Sequence, residues 1–136
     1  MIDLLRRLRR MDADSRALLA EALMLLLCAR VGLRVLPFAT LRRRLLRAPT
    51  RNGRSVARVA WAVNAVGRRL AGTTCLVEAL AADTMLRRHG HHPTLNLGVH
   101  GDGGVHSPLD AHAWVECGGM VVSGRTDDLE RYAVLS

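Results

Sequence analysis

The hydrophobic period of the chain changes once, near Gly90, and this change limits the fold more than any other feature. Before it, apolar residues recur every three or four positions, which is typical of helices that face a core. After it, "TLNLGV" and "AHAWVEC" alternate between apolar and other residues, which is the period of a strand. Helices followed by a small antiparallel sheet predict an α+β fold.

Four helices are predicted before the change of period. The first lies in "DADSRALLAEALMLLLCARVG", with Asp14 or Ser15 as its amino-terminal cap, and ends just before Gly32. The second begins near Pro37, and the fourth runs from Leu76 to Arg88. The third lies in "SVARVAWAVNAVGRRL", after the loop "RAPTRNGR", and its predicted inner residues are Val56, Val59, Ala60, Val63 and Val66. Cys28, Cys117 and Trp61 are predicted to lie in the core.

The strands after Gly90 have predictable faces. In "AHAWVEC", one face carries Ala113, Val115 and Cys117, and the other carries His112, Trp114 and Glu116. The "GG" that follows predicts a hairpin turn into "MVVSG". We expect one domain over residues 1–136, with a basic helical region at 1–70 and a second region at 71–136.

Charge and cysteine content restrict the function classes. Sixteen of the twenty arginines precede residue 70, where there are only four acidic residues. No CxxC pair and no secretory signal are present, so a reducing cytoplasm is the expected location. The apolar run in the first predicted helix is interrupted by Glu21 and Arg30, which argues against a membrane span.

Cys75 lies where the fourth helix should begin, with Thr73 or Thr74 as its cap. Free amide groups and the helix dipole favour a thiolate at such a position. Cysteine catalysis also needs an imidazole, and His112 is the best candidate because small Ala111 and Ala113 flank it. The alternative is that Cys75 packs like alanine and that His112 is a surface histidine.

Four stretches in this order carry a resemblance to a known family: "TTCLVEALAADTMLRRHG", "PTLNLGV", "AHAWVECGG" and "RYAVL". Together they resemble the leader peptidases of lasso-peptide biosynthesis, which are stand-alone transglutaminase-like cysteine proteases. The resemblance covers about Thr73 to Leu135. It implies a helical amino-terminal half packed on a transglutaminase- or papain-like core, which consists of one cysteine-bearing helix and a small antiparallel sheet.

The resemblance also implies a cytoplasmic enzyme with a Cys-His-Asp triad. Cys75 would be the nucleophile and His112 the base. Asp127 is the first choice for the acid and Asp128 the second, and Asp110, two residues before His112, stays open. At the spacing where the family usually has its acid, this chain has Ser123 and Gly124, and the two later aspartates could instead cap the segment "LERY".

The family implies three partners: a precursor peptide as substrate, a separate leader-recognition protein, and an ATP-dependent lasso cyclase that receives the product. No cofactor is expected, and no metal, because His89, His91 and His92 lack a paired ligand spacing. The alternative class is a non-catalytic basic module that binds nucleic acid or an acidic protein partner. Scattered arginines and few aromatic residues argue against nucleic acid, and contact with a membrane surface is not expected.

Overall fold

A computed structural model describes residues 2–47, 53–70, 72–100, 110–123 and 133–134. Five helices come first in these segments: α1 (Ile2–Arg10), α2 (Ala13–Val35), α3 (Phe38–Leu46), α4 (Val56–Arg69) and α5 (Cys75–Arg88). Four strands follow: β1 (Thr94–His100), β2 (Asp110–Cys117), β3 (Met120–Ser123) and β4 (Ala133–Val134). The predicted α+β class is confirmed.

The helix ends follow local side-chain chemistry. Ser55 caps α4 and accepts a hydrogen bond from the backbone N–H of Arg58 at 3.2 Å. Pro37 precedes α3, where its fixed backbone angle suits the start of a helix. None of the helices in the described segments is both long enough and apolar enough to cross a bilayer.

The predicted ends of α2 were wrong. The helix is preceded by Asp12 rather than by Asp14 or Ser15, and it continues through Gly32 to Val35. Gly32 allows α3 to approach α2, because a Cβ atom built there would lie 2.5 Å from a methyl carbon of Leu41. The glycine therefore serves close helix packing and not the end of a helix.

Two residues predicted to lie in the core are exposed. Cys28 lies on the outer side of α2, and Trp61 of α4 is 36% exposed beneath the guanidinium of Arg58. The helix α1 was not predicted at all. It is a nine-residue helix with four arginines, and none of its residues is buried.

The sheet is antiparallel and has the strand order β3-β2-β1-β4. The turn between β2 and β3 uses Gly118 and Gly119, both with positive φ (61° and 80°), as a two-residue hairpin of this kind requires. Leu95, Ala113, Val115, Cys117 and Val122 belong to the apolar core, so one face of the sheet packs on the helices.

The helix α5 is the centre of the molecule, since it contacts α2, α3, α4 and the first three strands. Nine of its residues are buried, including the carboxylate of Asp83. Arg42 of α3 and Arg87 of α5 pair with this carboxylate at 3.2 and 3.1 Å. A buried charge is tolerated when it is paired in this way, so the pair fixes α3 against α5.

A second polar cluster holds the carboxyl end of α5. The Nδ1 atom of His89 accepts a hydrogen bond from the backbone N–H of Arg54 at 3.2 Å, so the proton lies on Nε2. The Nε2–H group then donates to Glu21 of α2 at 3.0 Å. The guanidinium of Arg88 lies 3.6 Å from the same carboxylate. These contacts join α2, the segment before α4 and the end of α5.

Candidate active site

Cys75 is the first residue of α5, as the sequence predicted. Its neighbour Thr74 is the cap, and the Thr74 hydroxyl accepts a hydrogen bond from the backbone N–H of Val77 at 3.2 Å. The hydroxyl of Thr73 instead donates a hydrogen bond to the backbone carbonyl of Leu70 at 2.9 Å. The amides of Cys75 and Leu76 have no acceptor within the helix, so the thiol lies beside donors that the helix itself does not use.

The thiol of Cys75 is partly buried and packs at the edge of the apolar core. The other two cysteines differ from it in exposure, since Cys28 is exposed and Cys117 is buried. All three are free thiols. The chain therefore contains a buried, a half-buried and an exposed thiol, and only the half-buried one is at the start of a helix.

His112 lies on β2, which packs against α5. Its imidazole stacks on Trp114 with ring centroids 6.0 Å apart and an angle of 18° between the planes. The indole N–H of Trp114 donates to Glu116 at 3.1 Å. These two contacts confirm that His112, Trp114 and Glu116 share one face of the strand, and the other face carries the core residues.

The neighbouring strand presents a glycine opposite the imidazole. Gly98 of β1 is directly opposite His112, and Asn96 is opposite Trp114. Residues opposite each other in an antiparallel pair project on the same side, so β1 places no side chain directly opposite His112. Trp114 is only 4% exposed and Asn96 only 9%, so this face is also sheltered from water.

The structure thus brings together the two elements that carry the predicted nucleophile and base. Cys75 is at the amino end of α5, and His112 is on β2, which packs against the same helix. The imidazole lies on the face of β2 that carries Trp114, rather than on the face of Ala113 and Val115.

Glu78 is a neighbour of the site that sequence reasoning missed. It lies one turn after Cys75 on α5, and a Cβ atom built on Gly67 of α4 would lie 3.2 Å from its carboxyl carbon. Burial raises the pKa of Glu78 above its usual 4.5, and the nearby Arg68 guanidinium partly offsets this effect. Its spacing of three from Cys75 on a helix was the available signal.

The candidates for the acid are less well defined by the structure. Asp127 and Asp128 lie outside the described residues. Asp110 is the first residue of β2, two positions before His112. Ser123 ends β3 opposite Val115, and its buried hydroxyl has no hydrogen-bond partner in the described part of the chain.

The histidines after α5 serve the fold. His89 is buried between Glu21 and Arg54, and the Nε2 of His91 lies 2.6 Å from the carbonyl oxygen of Arg54. Across the described segments, no group of three or more His, Cys, Asp or Glu side chains is arranged to hold a metal ion.

Comparison with known families identifies the class of fold. The model of the transglutaminase-like superfamily matches residues 23–136 and therefore includes the second half of α2, α3 and α4 as well as the region from Cys75 onward. No curated protein and no solved structure gave a significant match. The chain belongs to the transglutaminase-like superfamily, whose members are typically similar to cysteine peptidases.

Proposed function

We propose that this member of the transglutaminase-like superfamily is a cysteine peptidase that removes the leader from a ribosomally synthesised lasso precursor peptide. Cys75 is the nucleophile, His112 the base and Asp127 the acid that orients the imidazole. The observation that carries the proposal is the thiol at the capped start of α5, on the helix that packs against the strand of His112.

The reaction divides into two steps. His112 takes the proton of the Cys75 thiol, the sulfur attacks the carbonyl carbon at the end of the leader, and His112 returns the proton to the leaving amine. The leader is then held as a thioester, which water hydrolyses to a free carboxylate and the original thiol. The backbone amide of Cys75, which has no acceptor within the helix, is suited to stabilise the oxyanion.

The proposal includes a cellular setting and two further partners. Three free thiols fit a reducing cytoplasm. The released core peptide, with its new amino terminus, would be the substrate of the ATP-dependent lasso cyclase. A separate leader-recognition protein would deliver the precursor, as the family resemblance implies.

A three-thiol alkylation experiment tests the pairing without any substrate. Wild-type protein is treated with iodoacetamide at about pH 6.5, well below the ordinary thiol pKa of about 8.5, and each cysteine is followed by peptide mass spectrometry. If exposure alone decides the rates, exposed Cys28 reacts fastest. If Cys75 is paired with His112, Cys75 reacts at least about tenfold faster than Cys28, although it is less exposed.

Two variants complete this test. In His112→Ala, Cys75 is expected to react no faster than Cys28, whereas His91→Ala, which removes an imidazole far along the chain from β2, leaves the Cys75 rate unchanged. A Cys75 rate below that of Cys28 in the wild type, or one that survives His112→Ala, contradicts the proposed pair. Circular dichroism of each variant checks that the fold is intact.

The acid is identified by three single variants assayed with a precursor peptide. Asp127→Asn is expected to lower kcat by about 10² to 10⁴ because the imidazole loses the group that orients it. Asp128→Asn and Asp110→Asn should each change kcat by less than about fivefold. A larger loss in Asp110→Asn would assign the role to the residue on the histidine strand instead.

A further inference from the structure

An apolar groove lies between α1, α2 and α4, away from the face of β2 that carries His112. It has a volume of about 610 Å³. Its apolar lining includes Leu4 of α1, Leu19 and Leu23 of α2, and Trp61 and Val66 of α4. Leu4, Leu23 and Trp61 are 38%, 41% and 36% exposed, so the groove is open to solvent along its length.

Four arginines line the same groove: Arg7, Arg16, Arg68 and Arg69. No carboxylate is among the lining residues. In the described segments, none of these four guanidinium groups lies within 4.0 Å of a carboxylate oxygen. The groove therefore combines an apolar floor with a rim of four arginines that form no ion pair within 4.0 Å in the described segments.

We propose that this groove binds an amphipathic, acidic helix of a separate protein partner. A channel between helices accepts a further helix, which inserts apolar side chains at positions i, i+3, i+4 and i+7. Glutamate and aspartate residues beside those positions would then meet the four arginines, which explains why the rim carries no acid of its own. This surface is independent of the chemistry proposed at Cys75.

Two other occupants fit the observations less well. A bilayer surface is broad and flat, whereas the apolar residues here line a concave channel. A second copy of the chain would have to supply an acidic helix, and the described helices offer none. In none of the five described helices do aspartate and glutamate together outnumber arginine.

A synthetic helix is the probe for this proposal. We would use a fluorescein-labelled peptide of about 18 residues with leucine at the spacing given above and glutamate at flanking positions. A control peptide has the same composition in an order that destroys the apolar face. Full-length protein is expected to bind the first peptide, detected by anisotropy and by a change in Trp61 fluorescence, and to bind the control at least about tenfold more weakly.

Charge reversal locates the binding surface. Arg16→Glu combined with Arg69→Glu is expected to weaken binding at least about tenfold and to abolish its weakening by salt. The matched control combines Arg43→Glu with Arg44→Glu on the exposed side of α3, outside the groove, and should change the affinity less than about twofold. Leu23→Asp tests the apolar floor without altering an arginine.

The remaining outcomes each overturn the proposal. Equal binding of the shuffled peptide, or equal loss in the α3 control, shows non-specific charge attraction. Binding of the wild type to vesicles of phosphatidylglycerol that Arg16→Glu/Arg69→Glu abolishes, with no peptide binding, assigns the groove to a membrane. A dimer in sedimentation velocity that the same variant dissociates assigns it to a second copy. Alkylation of Cys75 should leave peptide affinity unchanged, so failure here is separate from failure of the proposed peptidase.

Discussion

At its carboxyl end, α5 is fixed by charged side chains from several elements. At its amino end, the described residues give it one side-chain hydrogen bond, which is the one that the Thr74 cap accepts. Asp83 is paired with Arg42 and Arg87, and His89 is hydrogen bonded to Glu21. Around Cys75, in contrast, α5 packs on apolar residues, and its own Glu78 carries a half-buried carboxyl group.

The difference indicates how one helix can provide both stability and reactivity. Buried ion pairs and a histidine network hold its last two turns in one position relative to α2 and α3. In the first turn, the amides of Cys75 and Leu76 have no acceptor within the helix, which suits the binding of an anion or a developing oxyanion. Substitutions at the two ends should therefore separate folding from chemistry.

The largest effect is expected from Cys75→Ala. This change removes the proposed nucleophile, so cleavage of a precursor peptide should fall at least about 10³-fold. Because the thiol is only partly buried, the free energy of unfolding should change by less than about 1 kcal/mol. Peptide cleavage is followed by chromatography and stability by urea unfolding. Cleavage at wild-type rates would exclude the thiol from the reaction.

At the other end, Arg42→Met combined with Arg87→Met should act on folding alone. The pair of changes leaves the Asp83 carboxylate buried without a cation, which typically costs about 3–5 kcal/mol. Adding Asp83→Asn should recover more than half of that loss, because the buried charge is then gone. If the double variant is instead as stable as the wild type, the carboxyl end of α5 is not held by this pair.

Sequence patterns predicted the parts of the fold that depend on local chemistry. A threonine cap at position 73 or 74, the start of α3 near Pro37, and the turn at Gly118 and Gly119 each follow from one residue's hydrogen bonding or backbone freedom. The two faces of β2 followed from simple alternation, and the Trp114–Glu116 hydrogen bond confirms it. These features need no knowledge of distant packing.

Two incorrect predictions, and one contact that was not predicted, concern features that tertiary packing decides. The sequence of α2 is apolar nearly all round, so its pattern does not show that Cys28 faces outward. Gly32 has the composition of a helix end, but the approach of Leu41 gives it a place inside the helix. The Asp83 cluster joins residues 41 positions apart, a separation that periodicity does not link.

The candidate site also has features that the sequence predicts and features that only the structure shows. Cys75 at the start of a helix and His112 on a strand could be placed from the sequence, whereas their partnership remains a prediction. The position of Gly98 opposite His112 depends on strand register, which the sequence of one strand does not reveal.

A smaller effect, on both the stability of the fold and the reactivity of Cys75, is expected from Thr74→Ala. Loss of the hydroxyl that accepts from Val77 should reduce stability by about 1 kcal/mol. It should also slow alkylation of Cys75, because the first turn of α5 frays and its amides lose their alignment. Thr74→Ser keeps the acceptor and serves as the control. A loss of stability with an unchanged alkylation rate would show that the cap has a role in folding only.

The smallest expected effect is that of Glu78→Gln on the free energy of unfolding, and the sign of this change is informative. Since burial raises the pKa of Glu78 above 4.5, the folded protein binds this proton more tightly than the unfolded chain does. The contribution of Glu78 to stability is therefore most favourable at low pH and is lost as pH rises through the raised pKa. Glu78→Gln should increase the neutral-pH free energy of unfolding, by less than about 1 kcal/mol after solvent screening is considered.

Thermal unfolding of the wild type and Glu78→Gln between about pH 4 and pH 8 measures this effect, since the two curves should converge at the acid end, where both side chains are neutral. Glu116→Gln is the matched control, because its exposed side chain lies on the sheet. If Glu78→Gln instead lowers stability at neutral pH, the carboxylate is stabilised by Arg68 more than burial opposes it. The amino end of α5 would then also be held by charge, and the contrast between its two ends would not hold.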